Sequence, residues 1–468
     1  MRALLVVLVV ALVGCATPYA EEQSGSLRVG QPINAVVTET SKDTFSLHAR
    51  IGQFILLHLV RGSFEQGQEV NLAVTVTAPS GAVVEDTNTA SGTSLLALYP
   101  EETGVYEISV RRWNGASEGD YAVHLDTIER APRSRVRRIG QLLDHLYTDE
   151  RPGAAVAVVD QGRPVFAKTY GLASLEPTAR MTKRTPLELA SVSKQFTANA
   201  IAMLVADGRL SLTDKVSAYL PQMRPLGDDI TIHHLVHHLS GLRDYDEVLG
   251  DREATHAAIL EALYSQPAPY FSAGSEYRYS NGGYVLLAEI VRVVTGEPFP
   301  DWMRDNVFVP LGMPDSEITF ATVPSYRKDG AGFDDIDVSP ETYARVQEVL
   351  EAMGAAHVHA SLDDMVRWAQ NYRTQTLGGT EIADIIDDGI IPEAQPWDYV
   401  FGLHQFTDRG LLRRGHEGLT HGFRTQFVWF PDEDVFVVYL ANDGEWRTYY
   451  LAEKIIDLYL GDRMTSDE

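Results

Sequence analysis

Cysteine is almost missing from this chain: Cys15 is the only one in 468 residues. No internal disulfide can form, so the folded state must rest on apolar burial. Positive charge is also scarce, with 39 Lys and Arg against 65 Asp and Glu and a formal net charge of −26. Such an acidic surface argues against nucleic acid as a partner and against electrostatic docking on anionic lipid. Long apolar runs are lacking as well. Past the N-terminus no stretch is long and apolar enough to span a membrane. What remains is ordinary globular material. The hydrophobic fraction of 44% is enough for a real core, and the length suggests two or three domains.

The first residues read as an export signal. Arg2 precedes an apolar run from Ala3 to Val13, followed by Gly14-Cys15. The run is too short for a stable transmembrane helix and has the layout of a secretory signal peptide, residues 1–14. Cys15 after Leu12-Val13-Gly14 resembles the lipobox of bacterial lipoproteins. The resemblance implies cleavage before Cys15 and a lipid on that cysteine. The mature protein would then be exported and anchored to a bacterial membrane, facing the periplasm or the cell exterior, without spanning it. Residues 15–26 are short and polar and read as the lipidated tether.

From Gln31 the pattern changes to period-two alternation, in runs such as Thr44–Arg50, Val70–Val76, Gly104–Val110 and Asp120–Asp126. Turn signals at Ile51-Gly52, Pro79-Ser-Gly81 and Thr103-Gly104 separate them. Residues 27–128 therefore predict a small all-β sandwich. Asp43-x-Phe45, Ala78-Pro79-x-Gly81, Thr103-Gly104-x-Tyr106 and Gly119-Asp120-Tyr121 resemble the bacterial pre-peptidase C-terminal domain. The resemblance implies an accessory module with no catalysis of its own. A spacer role and a carbohydrate or wall contact both stay open. His48, His58 and His124 lie in strand patterns and read as structural.

Residues 129–134 are a basic, Pro-containing linker, residues 135–463 a larger domain and 464–468 a tail. The larger domain opens with a helix over 136–147 and strands over 153–159 and 164–170. Residues 209–300 are mainly helical. Strands return at 399–406, 410–414, 424–430 and 435–441, and a last amphipathic helix runs over 445–460. Strands from both ends around a helical middle predict an α/β (α+β) fold. One antiparallel sheet is covered by the first and last helices, and a helical subdomain is inserted.

The chemistry gathers at Ser191-Val-Ser-Lys194. Residues three apart lie on one face of a helix. Phe196, Ala200, Met203 and Leu204 then repeat at helical spacing. This predicts a buried helix with a hydroxyl and an amine at its amino-terminal end, where unpaired backbone N–H groups favour negative charge. By itself Ser-x-x-Lys does not separate a catalytic pair from a serine near a helix start. Two later stretches add to it. One is Tyr279-Ser-Asn281. The other is His416-Glu-Gly418, read as lying after one strand and before the strand at Arg424.

In this order, the three stretches resemble the three-motif pattern of the serine beta-lactamase and penicillin-binding superfamily, and most of all the class C beta-lactamase-like serine hydrolases. The likeness extends to Leu212-Thr-Asp214-Lys-Val216, His238-Leu-Ser-Gly241-Leu242 and Asp363-Asp-Met-Val-Arg-Trp368, and covers nearly all of residues 135–460. It implies the beta-lactamase/transpeptidase-like fold and an acyl-serine mechanism. Ser191 would be the nucleophile and Lys194 or Tyr279 its base. Asn281 would hydrogen-bond Lys194 and the substrate amide, and the backbone N–H groups of Ser191 and Leu419 would hold the oxyanion. Lys194 can take a proton only if its amine is neutral, which requires desolvation or a nearby positive charge. Gly418, without a side chain, would let substrate lie along its strand edge.

The third motif departs from the family. His416-Glu417-Gly418 stands where beta-lactamases have Lys-Thr-Gly, so the fixed cation for a substrate carboxylate is missing. The expectation therefore shifts to an ester, or an amide with a neutral or basic partner. The alternatives are a D-amino-acid peptidase, penicillin-binding protein or beta-lactamase acting on peptidoglycan fragments or beta-lactams, and a non-catalytic binding module. The substrate expected is a small-molecule ester, a peptide or a cell-wall fragment, with no cofactor and no metal. His233, His234, His237 and His238 read as part of a structural helix and turn. Asp334-Asp335-Ile-Asp337 reads as a solvated loop. Residues 321–353 read as a lid or a surface helix. Gly354-Ala-Ala-His357-Val-His359, where relatives carry a Gly-Gly pair, would narrow a pocket rim or only alter packing.

Overall fold

The computed structural model describes residues 23–61, 70–88, 95–321, 323–328, 343–346, 350–387, 397–444 and 447–465. The signal segment, Cys15 and the acidic loop at 334–337 lie outside these residues. The chain divides into two compact units, Met1–Arg130 and Ala131–Glu468.

The first unit is built from two sheets. One has the strand order Ser24–Ser26, Lys42–Ala49, Gly104–Arg112, Leu72–Thr77, Val83–Asn88. The other has the order Ile33–Val37, Gly119–Arg130, Gln53–Arg61, Leu95–Leu98. Alternation decides which side chains go inward. Phe45 and Leu47 of one sheet join Ile55, Leu57, Val123 and Leu125 of the other in a single apolar core.

The second unit centres on a seven-stranded antiparallel sheet. Its order is Arg163–Tyr170, Ala154–Asp160, Val435–Ala441, Arg424–Phe430, Leu411–Leu419, Leu403–Asp408, Asp398–Val400. Strands from both ends of the unit thus meet in one sheet, as their order along the chain predicts. Both faces are covered, and every residue of Val435–Ala441 is buried. Phe436 points toward Tyr372 of the helix Leu362–Thr374, with ring centroids 6.4 Å apart. Tyr439, three residues on and so on the opposite face, meets Tyr147 beyond the helix Arg135–Leu146, with hydroxyls 2.6 Å apart. The last helix, Arg447–Leu460, packs on Arg424–Phe430 and Val435–Ala441.

Three local readings change. The single strand expected over 399–406 is two strands, broken by a turn at Phe401 (φ 44°) and Gly402 (φ 86°). The turn is forced by its neighbour: a Cβ on Gly402 would lie 2.5 Å from the backbone nitrogen of Gln195. The strand expected over 410–414 runs on to Leu419, so His416-Glu417-Gly418 lies within a strand rather than after it. The described part of 321–353 contains no helix. Its regular structure is a two-stranded ribbon, Tyr326–Lys328 against Tyr343–Arg345.

Candidate active site

Ser191 does not lie in the α-helix. It sits in a tight 3-10 turn, Ala190–Ser193, that runs into the helix Lys194–Ala206. Ala190 is held at φ 49°, a left-handed conformation uncommon for alanine. Two hydrogen bonds hold the turn in place. Thr425 Oγ1 donates to the Leu189 carbonyl across 2.7 Å, and the Val358 N–H donates to Ser193 Oγ across 3.1 Å. The turn is therefore fastened both to the sheet and to the Val358–Ala360 strand.

Lys194 is the first residue of the helix and is wholly buried. Its Nζ lies 3.0 Å from Ser191 Oγ and donates across 2.9 Å to the carbonyl oxygen of Ala355. It also sits 4.9 Å from the centre of the Tyr279 ring. Desolvation holds the amine well below its ordinary pKa of 10.5. A neutral amine keeps a lone pair, and that lone pair can accept the Ser191 hydroxyl proton. The partner that sequence reasoning missed is Ala355, which acts through its backbone. Its only signal was the neighbouring Gly354, at φ 91°, where a Cβ would lie 2.5 Å from the Tyr284 carbonyl oxygen.

Tyr279-Ser-Asn281 lies where a coil becomes a helix. Ser280 caps Asn281–Thr295 by accepting the Gly283 N–H at 3.1 Å, so Tyr279 precedes the helix and Asn281 begins it. Burial pushes the Tyr279 phenol well above its usual value, against the opposing pull of a Ser191 hydrogen bond. Asn281 is half-buried and makes no hydrogen bond to Lys194; the Ala355 carbonyl takes that place. His238 backs Tyr279. The rings pack at a tilt with centroids 4.4 Å apart, and His238 Nδ1 accepts the Ser280 N–H at 3.1 Å. The other histidines of this group also have structural work. His234 closes a capping box with Thr231, and His237 Nδ1 bonds the Tyr399 carbonyl at 2.7 Å.

The third wall is the end of the strand Leu411–Leu419. Its pairing with Leu403–Asp408 ends at His404–Gly415, so among the described residues His416–Leu419 pair only with the Arg424–Phe430 strand. The strand end lies against the Ser191 turn. A Cβ on Gly418 would lie 1.9 Å from Thr425 Oγ1 and 2.3 Å from the Leu189 carbonyl oxygen. Gly418 thus makes room for the Ser191 turn itself. Leu419 is exposed at the strand end. His416 is only 5% exposed, packed 5.9 Å from the Tyr279 ring and 4.9 Å from the His404 ring. Burial holds its imidazole well below the usual range, so it is neutral. Ser191, Lys194, Tyr279, His416 and Gly418 converge on one site. Asn281 borders it without touching Lys194.

Residues 137–459 match the family model described as Beta-lactamase. A penicillin-binding protein of Bacillus subtilis is 26% identical over 336 residues, 68% of this chain and 74% of that protein. D-aminopeptidases of Brucella anthropi and Cereibacter sphaeroides are 29% and 30% identical, each over 66% of this chain. The matched region spans 59% and 60% of their lengths. Among solved structures, the octameric penicillin-binding protein homologue from Pyrococcus abyssi aligns with TM-score 0.61 at 24% identity, covering 70% of this chain and 77% of that one. A class C beta-lactamase in complex with cefoxitin aligns with TM-score 0.57 at 21% identity, covering 69% and 99%. These structural likenesses show the fold.

Proposed function

The chain belongs to the Beta-lactamase family, and from that premise we propose that it is a serine hydrolase working through an acyl-Ser191 intermediate. The observation that carries this reading is the wholly buried Lys194 amine 3.0 Å from Ser191 Oγ. Lys194 takes the hydroxyl proton as Ser191 attacks the substrate carbonyl. The backbone N–H groups of Ser191 and Leu419 hold the oxyanion. Tyr279, a protonated phenol, donates as the leaving group departs, and takes back the proton that Lys194 received, which leaves the amine neutral again. Water then releases the acyl group, with Lys194 as base again.

The substrate we favour is an ester, or an amide with a neutral or basic partner. A buried neutral His416 offers no fixed charge to a carboxylate. D-aminopeptidase relatives favour D-amino-acid peptides as the second reading. The test is a panel of short nitrophenyl esters, D-alanyl peptides and nitrocefin with Ser191→Ala as the blank, alongside fluorophosphonate labelling. Ester turnover and labelling that both depend on Ser191 are expected, with slow nitrocefin turnover. Absence of labelling would favour a binding module instead, and rapid nitrocefin turnover would make it a beta-lactamase.

The setting is part of the same proposal. The N-terminal β unit is taken as a pre-peptidase C-terminal-like accessory module, and Cys15 as the lipid attachment point of an exported, membrane-anchored protein. Cys15→Ala should release the protein from membranes; unchanged fractionation would remove the anchor from the reading.

A further inference from the structure

Tyr279 is held from both sides by one residue. The carbonyl oxygen of His238 accepts the Arg278 N–H at 3.0 Å, and its Nδ1 accepts the Ser280 N–H at 3.1 Å. The two residues that flank Tyr279 in the chain are thus both bonded to His238. Its ring then fills the space beside the phenol, with centroids 4.4 Å from Tyr279, 4.3 Å from Tyr399 and 5.2 Å from Tyr284. The residues after it extend the same fastening. The carbonyls of Leu239 and Gly241 accept the Gly274 and Tyr270 N–H groups, each at 2.8 Å.

Ring chemistry suits histidine to this grip. A ring nitrogen that accepts an N–H carries no proton, so the His238 proton sits on Nε2. Protonating Nδ1 would turn a donor toward the Ser280 N–H and break the bond. The surroundings oppose that step, because His238 is wholly buried and desolvation holds its imidazole well below the usual range. A phenyl ring would fill the space but leave the Ser280 N–H without its acceptor. The backbone makes a second demand. His238 stands at φ 59°, a left-handed conformation in which histidine and asparagine are enriched.

We propose that His238 is a positioning residue for the reaction: it sets the direction of the Tyr279 phenol at Ser191 by clamping the backbone on both sides of Tyr279 and packing against its ring. It acts through Tyr279. This rests on the serine hydrolase reading, in which Tyr279 passes a proton to the leaving group. Reacting groups tolerate displacements of only about 1 Å, so a slack clamp should lower kcat and leave KM little changed.

The experiment is a double-mutant cycle on the full chain, read by turnover of short nitrophenyl esters. His238→Phe keeps a ring and deletes the Nδ1 acceptor, and should lower kcat by about 10–10²-fold with KM within about twofold. His238→Asn puts an amide oxygen near the place of Nδ1 and suits the left-handed backbone, so it should recover about tenfold of that loss. In the Tyr279→Phe background, His238→Phe should cost less than about twofold, because the phenol it serves is gone. Equal losses in both backgrounds, or His238→Asn no better than His238→Phe, overturn the proposal. A second measurement needs neither turnover nor the His238→Phe variant. Nitrogen NMR of the wild type with isotope-labelled histidine, with the His238 signals identified by their absence in His238→Asn, should show the proton on Nε2 at about pH 7. A proton on Nδ1 overturns the clamp. A wild-type chain with no Ser191-dependent ester turnover would strike the hydrolase reading, and with it the role of His238 in turnover, while a proton on Nε2 would keep the clamp.

Discussion

The amine of Lys194 points at the carbonyl oxygen of Ala355, 2.9 Å away, and this bond holds Nζ within 3.0 Å of Ser191 Oγ. A carbonyl partner keeps the amine in place without supplying the negative charge that would keep it protonated. Desolvation then lowers its pKa unopposed.

The first prediction concerns pH. Ester kcat/KM should rise with pH through the depressed lysine pKa and level off well below 10.5. The same shift has a stability consequence. The folded chain holds the Lys194 proton less tightly than the unfolded chain, so stability increases with pH from the depressed folded pKa up to about 10.4. Relative to Lys194→Met, the wild type should gain up to about 1.4 kcal/mol per pH unit within that window, measured by urea unfolding between about pH 7 and 9. A pH-independent difference would mean that the buried amine is charged.

Tyr279 separates the two candidate bases. Its phenol is driven upward by burial, so the proposed mechanism uses it as a donor. Tyr279→Phe should lower kcat by about 10²–10⁴-fold while the acidic limb of the pH profile stays where it is in the wild type. Disappearance of that limb in Tyr279→Phe would transfer the role of base from Lys194 to the phenolate.

Gly418→Ala tests the seat of the nucleophile turn. The added methyl would meet the Leu189 carbonyl oxygen at 2.3 Å and Thr425 Oγ1 at 1.9 Å. The turn must shift, which should cost about 1–3 kcal/mol of stability and about 10²-fold in kcat/KM. Unchanged fluorophosphonate labelling rates in this variant would show that the turn is not held by the strand.

Acid should unfold the protein early. Burial lowers the imidazoles of His237, His359 and His404 to about 4. The unfolded chain binds their protons from about pH 6.5 downward and the folded chain does not. Stability is therefore full above about pH 6.5 and falls as pH drops toward 4, by up to about 1.4 kcal/mol per pH unit for each histidine. Scanning calorimetry across this range should show a steep decline in Tm, and His404→Gln should make it shallower. An unchanged slope in that variant would mean that His404 is protonated in the fold.

Much of the larger unit was legible in advance because apolar runs and helical spacing are local. Arg135–Leu146, Ala154–Asp160, Arg424–Phe430 and Val435–Ala441 fall close to where their patterns put them. The break at Phe401-Gly402 was not legible. Its cause is the backbone of Gln195, more than two hundred residues earlier in the chain.

The sequence by itself determined the chemical groups and their local spacing: a serine and a lysine three apart, a Tyr-Ser-Asn stretch, and a His-Glu-Gly stretch. Tertiary structure decided what those groups are electrically and sterically. Lys194 loses proton affinity because distant segments remove its water, and Ala355 holds it with a carbonyl that any residue could supply. Gly418 is needed because Leu189 passes behind it, and His416 is neutral because aromatic rings enclose it. Residue identity is written along the chain. Desolvation and close approach arise only between segments that folding brings together, and these are what turn a Ser-x-x-Lys spacing into a poised pair.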